Sequence, residues 1–229
     1  KNAWFKCLSP DGKMAVAQAD DGLRVLDVGS GEILQTLPVK LSNWYVPVCF
    51  SSDGKEILLS SDESGVFNVY SLQMASGKQT QLTHSQNQAV QLVSDIPGDD
   101  DHFLCTSDQG GNELYHLHLS NKKGKLRDLT PQDNAKAHFH GWSHDFKSFF
   151  YQSNARDPRY MDLYEMDRAS WESKLVYQND DGFDVGAISR DKRFYAISKM
   201  RTSNDSDIYL YDRTTKTLKH LTPHQGDIQ

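Results

Sequence analysis

The chain has 229 residues, 37% hydrophobic, 24% charged and 10% aromatic, with a formal net charge of −6 at pH 7. This is enough apolar material for a substantial core, and no apolar run approaches the roughly 18 residues that cross a bilayer as a helix, so a membrane partner is not expected. Acidic residues outnumber basic ones by 31 to 25 and no long Lys/Arg cluster occurs, which argues against a nucleic-acid partner, since phosphate-backbone binding needs a concentrated basic footprint.

The opening residues, Lys1-Asn-Ala-Trp-Phe-Lys6, hold no apolar signal core and no small-residue cleavage pattern. The chain reads as trimmed, and its address is left open. Cys7 and Cys49 each stand two residues before a recurring serine, and Cys105 makes the count odd. Equivalent sites on neighbouring units are expected to lie beyond the roughly 4.4–6.8 Å Cα separation of a disulfide. Reduced thiols are therefore expected, which leans the address weakly towards the cytoplasm.

Taken in chain order, the first copy of a repeat runs through 5–8, the turn Ser9-Pro-Asp-Gly-Lys13, then strands over 14–18, 23–27 and 33–37. The second has 46–50, the turn Ser51-Ser-Asp-Gly-Lys55, then 56–60, 66–70 and 79–83. Asp-Gly is a strong hairpin signal, because glycine tolerates positive φ and the aspartate bonds its own following backbone. The third copy spans 90–130, its Asp-Gly turn replaced by the longer Pro97-Gly-Asp-Asp-Asp101. The fourth (139–177) and fifth (184–222) carry the decayed turns Ser143-His-Asp-Phe-Lys147 and Ser189-Arg-Asp-Lys-Arg193. The anchoring Asp11, Asp53, Asp145 and Asp191 are 42, 92 and 46 residues apart, the middle gap being two periods. Copies two, three and five close on Leu-Thr, at Leu82, Leu129 and Leu221. No sustained 3.6-residue apolar stripe with caps occurs, so almost no helix is expected.

Four short strands per period of 40–45 residues are the signature of a β-propeller blade. The fold expected is all-β: a single propeller over 1–229, with four-stranded antiparallel blades at about 5–38, 44–83, 88–130, 138–177 and 182–222. Five blades could close a small ring or belong to a larger one.

The repeat resembles the propeller shared by TolB proteins and the prolyl oligopeptidase family. Over 126–227 it is more similar to the latter, through Leu126-Arg-Asp-Leu-Thr-Pro131, Gly141-Trp-Ser-His-Asp145, Ser153-Asn-Ala-Arg-Asp157, Asn179-Asp-Asp-Gly-Phe-Asp184, Asp207-Ile-Tyr-Leu-Tyr-Asp212 and Leu221-Thr-Pro-His-Gln-Gly-Asp227. Residues 1–125 match only through the generic repeat. The resemblance implies the non-catalytic propeller of a dipeptidyl-aminopeptidase or acylaminoacyl-peptidase-like serine peptidase. Its partners would be an α/β-hydrolase domain of the same parent protein and a peptide substrate, which the propeller would gate or position. Such propellers have seven or eight blades, so the resemblance implies that the five here are part of a larger ring. The sequence contains no Gly-x-Ser-x-Gly, so it offers no nucleophile elbow, and no catalytic residue is assigned.

His138 and His140 flank Phe139 on an inner strand, where i and i+2 share a face; with His144 nearby a metal is conceivable, but polar lining of a channel or loop explains them as well. His116 and His118 repeat the spacing. Asp99-Asp-Asp101 and Asp180-Asp181 lack the spacing of a calcium loop and read as solvated turns, as do Asp205 and Asp207 before a strand. No metal and no cofactor are assigned.

Arg156, Arg159 and Arg201, in loops joining second and third strands, are the substrate- or partner-binding candidates. A peptide carboxylate or the hydrolase domain would meet them through bidentate contacts, while pairing with local aspartates is the competing reading. Trp44, Trp142, Phe149, Phe150, Tyr164, Tyr209 and Tyr211 are expected to pack between blades. Two rivals stand beside the peptidase reading. One is a TolB-like or WD-repeat-like interaction scaffold. The other is a small-ring glycan-cleaving enzyme, for which the inner strands offer no paired acids.

Overall fold

A computed structural model describes residues 3–39, 41 and 46–224. Trp44 and the 225–227 end of the last quoted motif lie outside them. Among the described residues there is no helix, and the strands form five four-stranded antiparallel sheets, each a meander in sequence order. The first holds β1 (Ala3–Leu8), β2 (Met14–Ala19), β3 (Gly22–Asp27) and β4 (Ile33–Leu37); the second β5 (Val48–Phe50), β6 (Glu56–Ser61), β7 (Asn68–Gln73) and β8 (Gln79–Gln81). The third holds β9 (Val90–Ile96), β10 (Asp99–Ser107), β11 (His116–Asn121) and β12 (Leu126–Asp128); the fourth β13 (Ala137–Trp142), β14 (Ser148–Ser153), β15 (Asp162–Asp167) and β16 (Ser173–Tyr177). The fifth holds β17 (Asp184–Ile188), β18 (Phe194–Thr202), β19 (Asp205–Asp212) and β20 (Thr217–His220). The chain divides into two compact units, Lys1–Pro131 and Gln132–Gln229.

The first hairpin of the first, second, fourth and fifth sheets is built by the repeated turn. Ser9 Oγ donates to Asp11 Oδ1 (2.7 Å) and accepts from Met14 N–H (2.9 Å), while Asp11 Oδ1 accepts from Lys13 N–H (3.1 Å). Ser51, Ser143 and Ser189 repeat the serine–aspartate bond at 2.8, 2.7 and 2.6 Å. Gly12 and Gly54 both sit at φ 71°. Their counterparts in the decayed copies, Phe146 and Lys192, hold φ 54° and 61°, a left-handed conformation that costs a side-chain-bearing residue about 1–2 kcal/mol. The turn therefore outlives its glycine.

The third copy departs from expectation. Its turn is the tight Pro97-Gly98 pair, with Gly98 at φ 74°, and Asp99 already pairs with Ile96. The acidic run is the start of β10 and not a long loop. It is braced from the second sheet, where Ser52 Oγ accepts from Gly98 N–H and Asp100 Oδ1 accepts from Asp53 N–H at 2.8 Å. β7 likewise begins at Asn68, two residues later than the alternation at 66–70 implies.

In the first unit, Val16, Leu23, Val25, Phe50, Ile57, Leu59 and Tyr70 pack the first sheet on the second, and Leu58, Val69, Leu92, Phe103 and Cys105 pack the second on the third. In the second unit, Phe150, Leu163, Tyr177, Phe183, Tyr195 and Ile197 join the fourth and fifth sheets. Edge-to-face pairs Phe150–Tyr195 and Tyr177–Tyr211 cross that interface at centroid separations of 6.5 and 4.8 Å, and Phe183, in the chain between β16 and β17, meets Tyr209 at 5.1 Å. Trp142 instead packs within its own sheet, 5.5 Å from Phe149. The three cysteines are free thiols, and burial pushes those of Cys7 and Cys105 up to about 12.

Candidate functional site

One position explains where the predicted arginines go. Five residues before the residue that opens each third-to-fourth-strand turn (Asp27, Gln73, Asn121, Asp167 and Asp212), the chain places Gly22, Asn68, His116, Asp162 and Asp207. The last four are buried polar residues at or near the start of a third strand. A buried polar group requires partners, and each sheet supplies them differently. Asn68 Oδ1 accepts from Thr83 Oγ1 and Ser85 N–H, both at 2.9 Å. His116 Nδ1 lies 2.7 Å from Asp128 Oδ2.

Asp162 takes a bidentate bond from Arg156 (Nε 2.6 Å, Nη2 2.9 Å) and one from Asn179 N–H at 2.7 Å. Arg156 Nη2 also reaches Asp180 Oδ1 at 2.9 Å, which withdraws Asp180 from the purely solvated turn expected of it. Arg201 stands in the same relation to Asp207, six residues ahead, with Nε 3.4 Å from Asp207 Oδ2 and Nη2 2.6 Å from Asp205 Oδ2. Asp205 and Asp207 are likewise buried ion-pair acceptors and not solvated loop acids. Two of the three arginines are thus equivalent, each bonded to a carboxylate of its own sheet. Arg159 points outward at 73% side-chain exposure, pairs with Asp157 (2.7 Å) and lies over the Tyr160 ring. Hydrogen bonds from Arg159 bring Asp157 down to about 2.

The opposite end of the same unit, where first-to-second and third-to-fourth turns meet, carries a charged cleft of about 450 Å³ lined by Asp145, Ser148, Glu165, Ser173, Lys174 and Lys192, among others. Glu165, 7% exposed, accepts from Ser148 Oγ (2.9 Å) and Lys192 Nζ (3.0 Å), with Arg213 Nη1 at 3.3 Å and Lys174 Nζ at 3.5 Å. Burial pushes the Glu165 carboxyl up, but the bonds from Lys192 and Ser148 outweigh it and leave it below the usual range. Asp145 is brought to about 2 by Ser143, the Lys147 amide and Lys192. The Ser143 and Ser148 hydroxyls are held by these carboxylates, which makes them structural donors and not activated nucleophiles. Sequence reasoning passes over Lys192. The available signal is a lysine in the glycine slot of the fifth turn, from which its side chain reaches back to the fourth sheet.

The histidine pair on β13 is separated by a bulge between Phe139 and Gly141, with Gly141 at φ 156°, so the alternation that would place both rings on one face is interrupted. His140 Nε2 lies 2.7 Å from Gly186 O on the neighbouring sheet. His138 is exposed, and partial burial together with Lys136 lowers its pKa. Among the described residues no group of three or more His, Cys, Asp or Glu side chains is arranged to hold a metal ion.

No family model matches the chain. Dipeptidyl aminopeptidase BIII of Pseudoxanthomonas mexicana is 27% identical over 176 residues, a match covering 76% of this chain and 25% of that protein. The chain thus spans a quarter of the curated relative's length. Among solved structures, dipeptidyl peptidase 4 of Porphyromonas gingivalis superposes with a TM-score of 0.63 at 14% identity, over 96% of this chain and 37% of that one. TolB from Acinetobacter baumannii gives 0.57 at 17%, over 98% and 53%. An oligogalacturonate lyase in complex with manganese gives 0.67 at 16%, over 95% and 64%. At such identities the structures show the fold, an all-β propeller. Their different chemistries show that the fold alone does not choose an activity.

Proposed function

We infer that this chain, a β-propeller domain of the type shared by prolyl oligopeptidases and TolB proteins, is the non-catalytic portion of a serine peptidase. It would gate or position peptides for a separate α/β-hydrolase domain of the same parent protein. The observation that carries this reading is the 27% identity to a dipeptidyl aminopeptidase across three quarters of the chain. The sequence adds that no Gly-x-Ser-x-Gly is present, and the turn and cleft serines are engaged in structural bonds. In this reading Arg159, exposed and paired with Asp157, meets the peptide carboxylate, while Arg156 and Arg201 are occupied by carboxylates of their own sheets.

The test compares the chain with the product of its whole reading frame, using a fluorophosphonate probe and aminoacyl and dipeptidyl chromogenic substrates. The chain alone stays unlabelled and inactive. The whole product is labelled and favours short peptides, and Arg159→Ala raises its KM about 2–5-fold, the worth of an exposed ion pair, with kcat unchanged. Labelling of the chain alone contradicts the reading. A reading frame without a hydrolase favours the alternative, a TolB-like interaction scaffold, which the TolB superposition over 98% of the chain supports.

A further inference from the structure

The fifth sheet closes differently from the second and fourth. Asp205 and Asp207, with side chains 2% and 3% exposed, lie side by side on β19. Arg201 from β18 contacts both, at 2.6 and 3.4 Å. From β20 and the chain leaving it, His220 Nε2 approaches Asp207 Oδ1 at 2.9 Å, and His224 Nε2 approaches Asp205 Oδ1 at 2.8 Å, with its Nδ1 3.3 Å from Asp207 Oδ1. The His220 ring is stacked on Tyr209 at 4.3 Å. Two buried carboxylates face one guanidinium, so a second cation is needed to balance them, and an uncompensated buried charge is costly.

We propose that His224, with His220 beside it, is a proton-operated latch that fastens the chain leaving β20 to Asp205 and Asp207. The hydrogen-bonding partners define its two states. His224 Nδ1 lies 2.8 Å from the Thr222 carbonyl, an acceptor only, so this nitrogen carries a proton in either state. Nε2 lies 2.8 Å from both Asp205 Oδ1 and Arg201 Nη2. With a proton on Nε2 the imidazolium donates to Asp205 and completes the charge balance. Without it the lone pair accepts from Arg201, Asp205 Oδ1 faces that lone pair, and the cluster keeps an unbalanced negative charge. The segment at stake is tied by Leu221 N–H to Ile208 O and by Ile208 N–H to Thr222 Oγ1, both at 2.8 Å. In the second sheet the same closure uses Asn68, Thr83 and Ser85, and in the fourth Asp162, Arg156 and Asn179. Neither contains an imidazole.

The bonds to Thr222 O and Asp205 hold the His224 pKa above its ordinary value. A raised folded-state value means that the latch is at full strength below about 6.5, the unfolded value, and is lost as pH rises through the folded one. The experiment is amide exchange at Leu221 and at Leu82, whose N–H donates to Val69 O in the second sheet, each normalised to its intrinsic rate at pH 5.5 and 8.5. Protection at Leu221 is expected to fall several-fold from the lower to the higher pH, with Leu82 unchanged and the difference abolished in His224→Gln. Equal pH dependence at both amides, its persistence in His224→Gln, or an NMR titration placing the wild-type His224 imidazole at or below about 6.5 overturns the proposal.

Discussion

Thr83 and Thr222 occupy the same place in two sheets, and burial separates them. Thr83, 1% exposed, accepts from Val69 N–H at 2.9 Å and donates to Asn68 Oδ1. Thr222 accepts from Ile208 N–H at 2.8 Å at an exposed site. Thr83→Val keeps the shape but leaves a buried amide without its side-chain acceptor, a loss of about 1–3 kcal/mol. Water replaces the lost partner at Thr222, so Thr222→Val costs less than about 1 kcal/mol. Urea midpoints at constant m-value measure both, and equal losses would refute the assignment. The Leu-Thr ending is visible in the sequence as a recurrence, but its purpose is not, because the partner amide lies 14 residues away on another strand. The same holds for Arg156 and Arg201. Their types are legible, and Arg156 lies in the loop expected of it, but Arg201 is part of β18 and not of a loop, and bonding to Asp162 and to the Asp205/Asp207 pair depends on where the third strand begins.

Within a sheet, the position filled by Asn68, His116, Asp162 and Asp207 is glycine in the first copy. Gly22 sits at φ 130°, and an added Cβ would collide with the Leu37 carbonyl oxygen. There the chain itself, turning at Leu37 and Pro38, occupies the space that other sheets fill with a polar side chain. Gly22→Ala is expected to cost at least about 2 kcal/mol, from backbone strain and displacement of β4. Gly12→Ala, at φ 71° with nothing within 4 Å, should cost about 1 kcal/mol. Comparable melting temperatures for the two variants would count against this account. Hairpins with Asp-Gly are read from sequence because the turn is local. The tight Pro97-Gly98 turn and the bulge at His140 are not, because register depends on which residues the partner strand presents.

Across the whole molecule, the repeated turns make acid sensitivity a distributed property. Asp53, Asp145, Asp157 and Asp212 are each brought to about 2, Asp53 and Asp157 by hydrogen bonds and cations of their own loops, Asp145 by its own turn together with Lys192 of the next sheet, and Asp212 chiefly by Arg193 from another turn of its own sheet. A depressed folded-state value gives stability that is complete above the unfolded value of about 3.9 and is lost as pH falls through about 2. The urea midpoint should decline between about pH 4 and 2, less steeply in high salt because these groups are exposed. A midpoint constant down to pH 2 would show that the turns contribute nothing through ionisation.

The sequence by itself determined the strand meander, its period and the propeller class, because turn chemistry and alternation act within a few residues and recur. Only the tertiary structure decided which charges are buried together. Lys192 reaching Glu165 from the next sheet, Arg156 and Arg201 bonded inward, and His224 held over two carboxylates all depend on distances between strands, and no local pattern in the chain encodes those distances.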